Sequence, residues 1–557
     1  MYESDKYDKS DKKYTKKNKI QHKFRQLPVK EFNHAHKKAV YSNHRKHNVS
    51  KFDSKFDTQI CDDKMTFEDC ELAILRHAID ETEEIQKKQV VISDEIRKMY
   101  TILEKFIISK KLIVYGGLAL NRLMPKHARF YNEDVELPDY DMYSENALEN
   151  AKELADIYFK EGYKDVEAKS GVHYGTFKVF VNFIAIADIT QLQKEIYNSI
   201  KSEAVIISGI YYCPPNYLRM SMYLELSRPA GDISRWEKIY KRLTLLNKFY
   251  PLKTPKTCKT IEFQRDIESD SIKKKTTFLY YLVRDNFIEQ EVIFFGGYAN
   301  LLYSKYMPNN EKYKFNKKIP DFDVLAVDPD LSAMILTETL KERGFNNITQ
   351  IKHEAIGEII PEHIQILVEK DTIAFIYKPI ACHSYNIIHI DNSNREARVA
   401  TIDTMLNFYL AFLYVDLPYY SVDRILCMAN YLFEIQQKNR LNQRGLLKRF
   451  SSDCIGKQPQ LEDMRAEKAE MFKKLMDKRG STEYEMWFLK YNPALSNGKM
   501  QKHSAVISMP KNSKKSKKVL TESIVEGSPI KKKRTRKKVK KLPKNKYNGI
   551  IEPVFNY

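Results

Sequence analysis

The sequence predicts a mixed α/β chain made of two related domains in tandem, and three observations carry that prediction. At 557 residues the chain is longer than one hydrophobic core ordinarily serves, since cores stop growing near roughly 250–300 residues. Two stretches of it repeat each other at a fixed distance. In each, an apolar run leads into Gly-Gly, then a helical pattern, then a second strand-like segment: strand, turn, helix, strand.

The composition supports folded domains. Hydrophobic residues make up 43% and aromatic ones 12%, which excludes an entirely disordered polyelectrolyte. Seventeen glycines exclude a collagen-like class, and no run of about 18 uncharged apolar residues is present, so no membrane partner is expected. The opening MYESDKYDKSDKKYTKK lacks the apolar core of a secretory signal and the acid-poor character of a transit peptide. The cysteines, Cys61, Cys70, Cys213, Cys258, Cys382, Cys427 and Cys454, are scattered without a CxxC pair. They are expected to be buried or idle thiols of a reducing compartment, with no structural zinc.

Charge is concentrated at the ends. Residues 1–55 hold 16 Lys/Arg against 6 Asp/Glu, and residues 511–541 hold 14 against 2, so most of the net charge of +21 lies there and the body is near neutral. Cationic arms of this kind suit a polyanion, which they bind by releasing its counterions.

Taken in order, residues 1–60 lack apolar periodicity and are expected to form a disordered basic arm. Ile92, Ile96, Met99, Leu103 and Phe106 fall at helical spacing, and the helix leads into a buried strand at Leu112–Tyr115. Gly116 and Gly117 follow, then a helix marked by Leu118, Leu120 and Leu123. HYGTFKVF, a turn near Val181-Asn182 and the apolar strand Phe183–Asp188 read as a hairpin. Pro251–Pro255 reads as the joint between a first domain at 61–260 and a second at 261–497. Residues 498–557, which include KKKRTRKKVKK, are a basic low-complexity tail, read either as an RNA-binding arm or as an import signal.

The repeat itself is specific. KLIVYGGLALNRLMP from Lys111 matches EVIFFGGYANLLYSKYMP from Glu291, and LPDYDMYS from Leu137 matches IPDFDVLAVD from Ile319. Gly116 to Gly296 is 180 residues and Asp139 to Asp321 is 182, a constant offset that indicates duplication. In LPDYD, Pro138 favours extended backbone, and the strand period of two puts Asp139 and Asp141 on one face with Tyr140 on the other. Two carboxylates about 7 Å apart can converge on one metal site, and hard oxygen donors favour Mg²⁺ or Mn²⁺. Asp188, closing the next apolar strand, is the candidate third ligand, because burying it without a cation is costly. A diglycine turn ahead of a helix offers amides and a helix dipole to phosphate.

The diglycine, the DxD and the later Asp together resemble the nucleotidyltransferase superfamily of DNA polymerase β type. More narrowly, YGGLALNRLMP with ELPDYDMYS resembles the poly(A) polymerase catalytic subunits of large DNA viruses, the poxvirus and mimivirus-like group, over roughly residues 61–497. Gly117 to Asp139 is longer than usual for the superfamily, with Lys126–Glu136 the expected insertion. The resemblance implies two tandem nucleotidyltransferase-like domains. Gly116 and Gly117 would cradle the triphosphate of ATP, Asp139 and Asp141 would ligate two divalent ions, and Asp188 would hold the ion that activates an RNA 3′-hydroxyl. It further implies an mRNA polyadenylation enzyme, a homodimer as in the mimivirus-like relatives, and residence in the host cytoplasm and the virion. The rival expectations are another RNA or protein nucleotidyltransferase of the superfamily, and a non-catalytic RNA-binding or assembly protein.

The second copy keeps Gly296, Gly297, Asp321 and Asp323 but lacks an evident third acid. Setting Phe375-Ile376 against Phe183-Ile184 places Ile380 opposite Asp188, with Asp371 in the preceding turn, so this domain is expected to be inactive. The stretch from Asn216 to Asn247 has helical segments rich in Arg, Lys and Tyr that either line a nucleotide or RNA cleft or, as expected here, place Arg219, Arg228, Arg235 and Lys238 on a solvated face. Trp236 and Trp487 are expected to pack.

Overall fold

A computed structural model of the chain describes residues 60–61, 65–131, 137–308, 318–390 and 395–495. The chain divides into two units, 1–86 and 87–557. In the first, Thr66 starts helix α1 (Phe67–Ile92), its hydroxyl accepting from the Asp69 N–H at 3.2 Å, and Cys61 pairs with Cys70.

The second unit begins with α2 (Asp94–Lys110), whose Ile96, Met99, Leu103 and Phe106 are buried as their spacing requires. It delivers the chain into β1 (Ile113–Val114), α3 (Gly116–Leu123), β2 (Asp141–Ser144) and α4 (Ala147–Lys160). There follow β3 (Val166–Ser170), β4 (Thr176–Val181), β5 (Ile184–Gln191), α5 (Lys194–Ser202), β6 (Val205–Ile207), β7 (Ile210–Tyr212), α6 (Pro215–Leu226) and α7 (Trp236–Phe249).

The second copy runs through α8 (Asp270–Glu289), β8 (Ile293–Phe295), α9 (Gly296–Tyr303), β9 (Phe322–Leu325), α10 (Pro329–Glu342) and β10 (Ile348–His353). It continues with β11 (His363–Val368), β12 (Asp371–Tyr377), β13 (His383–His389), β14 (Glu396–Ala400), α11 (Ile402–Phe412) and α12 (Val422–Lys438). The C-terminal part adds β15 (Cys454–Ile455), α13 (Leu461–Leu475), α14 (Thr482–Phe488) and β16 (Lys490–Tyr491).

These strands form two eight-stranded sheets, ordered β16-β3-β4-β5-β2-β1-β7-β6 and β10-β11-β12-β9-β8-β14-β13-β15. From β3 to β6 and from β10 to β13 the two orders correspond strand for strand, and so do the parallel and antiparallel senses. The sequence repeat is thus a repeat of topology, and the expected two-domain α/β architecture is observed. Helix α11 is buried along its whole length and packs against α6 of the first copy; its one charged residue, Asp403, is paired with Arg449. Ring contacts between Tyr217 and Tyr414, 5.0 Å apart, reinforce that junction.

Several expectations require correction. Strand β5 runs to Gln191, so Asp188 lies inside it instead of closing it. The sheets do not divide at residue 260: β16 pairs antiparallel with β3, so residues 490–491, expected in the second domain, belong to the first sheet. Six cysteines form the pairs Cys61–Cys70, Cys258–Cys427 and Cys382–Cys454, each with Cα atoms 5.2 Å apart, and only Cys213 is the buried free thiol expected of all seven. Arg219 is fully buried, not on a solvated face; its Nε donates to Asn247 Oδ1 at 2.8 Å. The basic arm at 1–60 (except residue 60) and the tail at 498–557 lie outside the described residues, as do residues 132–136 of the expected insertion. Among the described residues no helix is long and apolar enough to cross a membrane.

Candidate active site

Gly116 starts α3 with φ +71°, a left-handed conformation that costs glycine nothing. A Cβ there would stand 2.8 Å from Asp141 Oδ2, and one on Gly117 would meet the Tyr131 hydroxyl at 2.6 Å and Arg242 Nη1 at 3.3 Å. Close approach therefore demands both glycines. A carboxylate crowds the first and a phenol with a guanidinium the second.

Pairing of β1 with β2 sets this contact: Val114 is opposite Met142, and the Tyr115 N–H donates to the Asp141 carbonyl at 2.9 Å. Strand β2 runs parallel to β5 with Asp141 opposite Asp188. Neighbouring strands are about 4.8 Å apart, so the two carboxylates project from the same face side by side. Tyr140 turns the other way, buried, and its hydroxyl donates to Glu104 Oε1 at 2.6 Å. Asp139 is exposed at the rim. The alternation expected of LPDYD is present, although only Asp141 is within the regular strand.

The three acids feel one another. Burial first, then the charges of Asp139 and Asp188, push the Asp141 carboxyl up to about 7, with Lys178 and Arg235 pulling the other way. Crowding by protein and the Asp188 charge raise Asp139 as well. On β4, Lys178 is opposite Asp188 and its Nζ lies 2.6 Å from Asp188 Oδ2. Among the described residues no three acid, His or Cys side chains stand close enough to share one ion. With Lys178 drawn onto Asp188, the three carboxylates stand near one another without forming a closed cage. The donor set still fits a hard divalent cation: it is all carboxylate oxygen, like-charged and open at the rim.

The second copy is arranged differently. Gly296 again has positive φ, at +66°, beside Asp323. Here Arg265 forms an ion pair with Asp321, lies 3.7 Å from Asp323 Oδ1, and donates its backbone N–H to Asp321 Oδ2 at 2.9 Å. Strand β12 pairs with β9 so that Phe375, not Ile380, occupies the register position of Asp188, opposite Asp323. The Phe375 ring faces the Arg265 guanidinium at 4.7 Å. Asp371 starts β12 instead of lying in a turn, and accepts from the N–H groups of Glu268 and Ser269 at 2.6 and 3.0 Å, capping α8.

Sequence reasoning missed Lys178, Arg242 and Arg265. Counting back from the hairpin turn nearly reaches Lys178, but a bulge shifts the pairing by one residue.

Residues 101–232 match the poly(A) polymerase catalytic subunit family. The resemblance read from the motifs is therefore shown over this stretch, which contains the first diglycine and all three acids. A protein of African swine fever virus (strain Badajoz 1971 Vero-adapted), named "Putative poly(A) polymerase catalytic subunit", is 34% identical over 174 residues, 30% of this chain and 36% of its own length. A protein of Acanthamoeba polyphaga mimivirus with the same name is 29% identical over 225 residues, 39% of this chain and 37% of its own. The chain thus spans little more than a third of the length of the curated relatives it matches. The crystal structure of the Megavirus polyadenylate synthase is similar with a TM-score of 0.65 at 19% identity, over 83% of this chain and 91% of that one. That likeness extends the shared fold to both sheets.

Proposed function

We propose that the chain is a template-independent poly(A) polymerase that adds AMP from ATP to mRNA 3′ ends, with its working site in the first sheet. The observation that most supports this is the gathering of Asp139, Asp141 and Asp188 beside the diglycine turn, inside the segment that matches the family.

In this reading the amides at the start of α3 receive the triphosphate, while the absent side chains of Gly116 and Gly117 let Asp141, Tyr131 and Arg242 close in around the turn. Asp139, Asp141 and Asp188 would hold two Mg²⁺ or Mn²⁺ ions, Asp188 serving the one nearer the RNA 3′ end. When bound, such ions stabilise the entering and leaving oxygens of an in-line displacement. The 3′ oxygen bonds to the α-phosphorus as the α–β bridging bond breaks; pyrophosphate leaves and the hydroxyl proton passes to water. Asp188 must exchange its bond to Lys178 for this role.

The second site is proposed to be inactive, because Arg265 is ion-paired with Asp321 and lies beside Asp323, and Phe375 stands where the third acid would be. The basic arms would raise the local RNA concentration and make activity salt-sensitive. A homodimer, in the cytoplasm of a host cell and in virions, is proposed from the resemblance to the mimivirus-like group; sedimentation at monomer mass would remove the dimer.

The test is extension of labelled RNA by the full chain with each NTP, with and without divalent ions. Elongation with ATP, and only with an ion present, is expected. Elongation by another NTP in place of ATP would make the chain a different transferase, and RNA retention without any elongation would make it a binding protein.

A further inference from the structure

We propose that Arg242 is a phosphate-binding residue of the first site, holding the triphosphate of the incoming nucleotide on the side of the diglycine turn away from the acids. This rests on reading that site as a nucleotidyl-transfer centre.

The diglycine turn has two unlike edges. Gly116 abuts the Asp141 carboxylate, whereas the space above Gly117 is bounded by Arg242 Nη1, 3.3 Å from where a Cβ would be, and by the Tyr131 hydroxyl. One edge suits cations and the other suits anions. Arg242 extends from α7, half-buried, and among the described residues its hydrogen-bond partner is the Tyr131 hydroxyl and no ion pair with a carboxylate is formed. Arg235, in the turn just ahead of α7, acts on the charge of Asp141 and so belongs to the acid edge.

The guanidinium is held in place. It lies over the rings of Phe130 and Tyr131, 4.6 and 5.3 Å from their centroids, and its Nη2 donates to the Tyr131 hydroxyl at 2.6 Å. Asn121, a buried residue of α3, fixes that platform by accepting at Oδ1 from the N–H groups of Phe130 and Tyr131 at 2.9 and 3.1 Å. The helix that carries the diglycine at its start therefore also anchors the aromatic seat of Arg242. Stacking lowers the side-chain entropy that an arginine loses on binding, and its free N–H groups form a planar fork matched to phosphate oxygens. The triphosphate can then be held between α3 amides and this fork, with its β- and γ-phosphates at the guanidinium.

The test compares ATP and AMP binding to the full chain with Mg²⁺ and no RNA, by calorimetry, together with inhibition of extension by pyrophosphate. Arg242→Gln should bind ATP about tenfold more weakly or worse, as expected for a lost charge-assisted contact. Its AMP affinity should stay within about twofold, and its pyrophosphate inhibition should weaken in step with ATP. Arg242→Lys, which keeps the charge but not the fork, should fall between, and serves should the Gln variant fail to fold. ATP binding and pyrophosphate inhibition unchanged in both variants would overturn the assignment. Equal losses for ATP and AMP would also overturn it, by pointing to a disturbed pocket. Should the unaltered chain bind no nucleotide with Mg²⁺, the reading of the site itself fails and the inference with it.

Discussion

The guanidinium of Arg265 sits against the carboxylate of Asp321, whereas the matching acid of the first copy, Asp139, is exposed and among the described residues has no such ion pair. One repeat carries a fixed cation made of protein beside its first acid; in the other, among the described residues, the ion pair is made instead between Lys178 and Asp188. Asp321 and the guanidinium are both buried, and Asp323, raised by burial, is held back chiefly by Arg265. Removing one partner of such a pair strands the other in a low dielectric. Arg265→Gln should destabilise the chain by about 3–5 kcal/mol in urea unfolding; a loss below about 1 kcal/mol, the range of exposed pairs, would show that the pair is solvated.

Divalent cations should bind at the first copy. Mn²⁺ titration of the full chain, followed by electron paramagnetic resonance, should give binding that Asp139→Asn combined with Asp141→Asn removes. The same double variant should lower tailing by about a hundredfold or more. Retained Mn²⁺ binding would put the metal elsewhere in the chain.

Asp371 tests whether the second copy conceals a third acid. Its carboxylate caps the start of α8 through two backbone N–H groups and lies four residues before Phe375 along β12. Asp371→Ala should therefore cost about 1–2 kcal/mol of stability, as loss of a helix cap does, and leave tailing per folded molecule unchanged. A tailing defect with intact stability would give Asp371 a role in chemistry.

The diglycine turns and the PDxD segments were legible because each is enforced locally: an apolar strand, a positive-φ glycine and a helix cannot be arranged many other ways. Register was not. The β4–β5 hairpin pairs Val181 with Ile184 and Phe180 with Ala185, then slips by one residue so that Lys178 meets Asp188 in place of Ala187. A bulge leaves no mark in residue type, which hid the ion pair. In the second copy, similar apolar pairs invited matching Phe375 with Phe183, yet counting from the first strand residue, Asp371 in β12 and Ile184 in β5, puts Phe375 level with Asp188. Arg265 reaches its site from a segment without periodic or motif signal, whereas Arg242 lies in a stretch whose helical pattern was legible but whose individual cleft-facing residue was not. The two residues of β16 are too few to show a strand pattern, so the return of the chain to the first sheet was invisible.

Asp141 should make stability depend on pH in a particular direction. Its folded pKa is about 7 against an ordinary 3.8, so between those values the folded chain holds a proton that the unfolded chain has lost. Stability from this group is therefore lost as pH rises through that window, and the loss levels off above it. Asp141→Asn, which cannot ionise, should gain on the unaltered chain between about pH 4 and pH 7 in urea midpoints, and Mg²⁺ should shrink the gap by offsetting the carboxylate charge. A gap independent of pH would mean that Asp141 is not raised.

Two glycines with similar backbone separate strain from contact. Gly116 has φ +71° and its absent Cβ would press on Asp141 Oδ2 at 2.8 Å; Gly162, just after α4, has φ +100° with nothing within 4 Å. Alanine at either position meets the left-handed penalty of about 1–2 kcal/mol. Only Gly116→Ala must also push the Asp141 carboxylate off its position beside Asp188 and intrude where phosphate would approach α3. Thermal unfolding should thus show both variants weakened, Gly116→Ala at least as much as Gly162→Ala, while Mn²⁺ affinity and tailing per folded molecule fall in Gly116→Ala alone. Equal activity in the two folded variants would mean that the tight contact between Gly116 and Asp141 does not set the geometry of the carboxylates, and the proposed site would lose its positioning element.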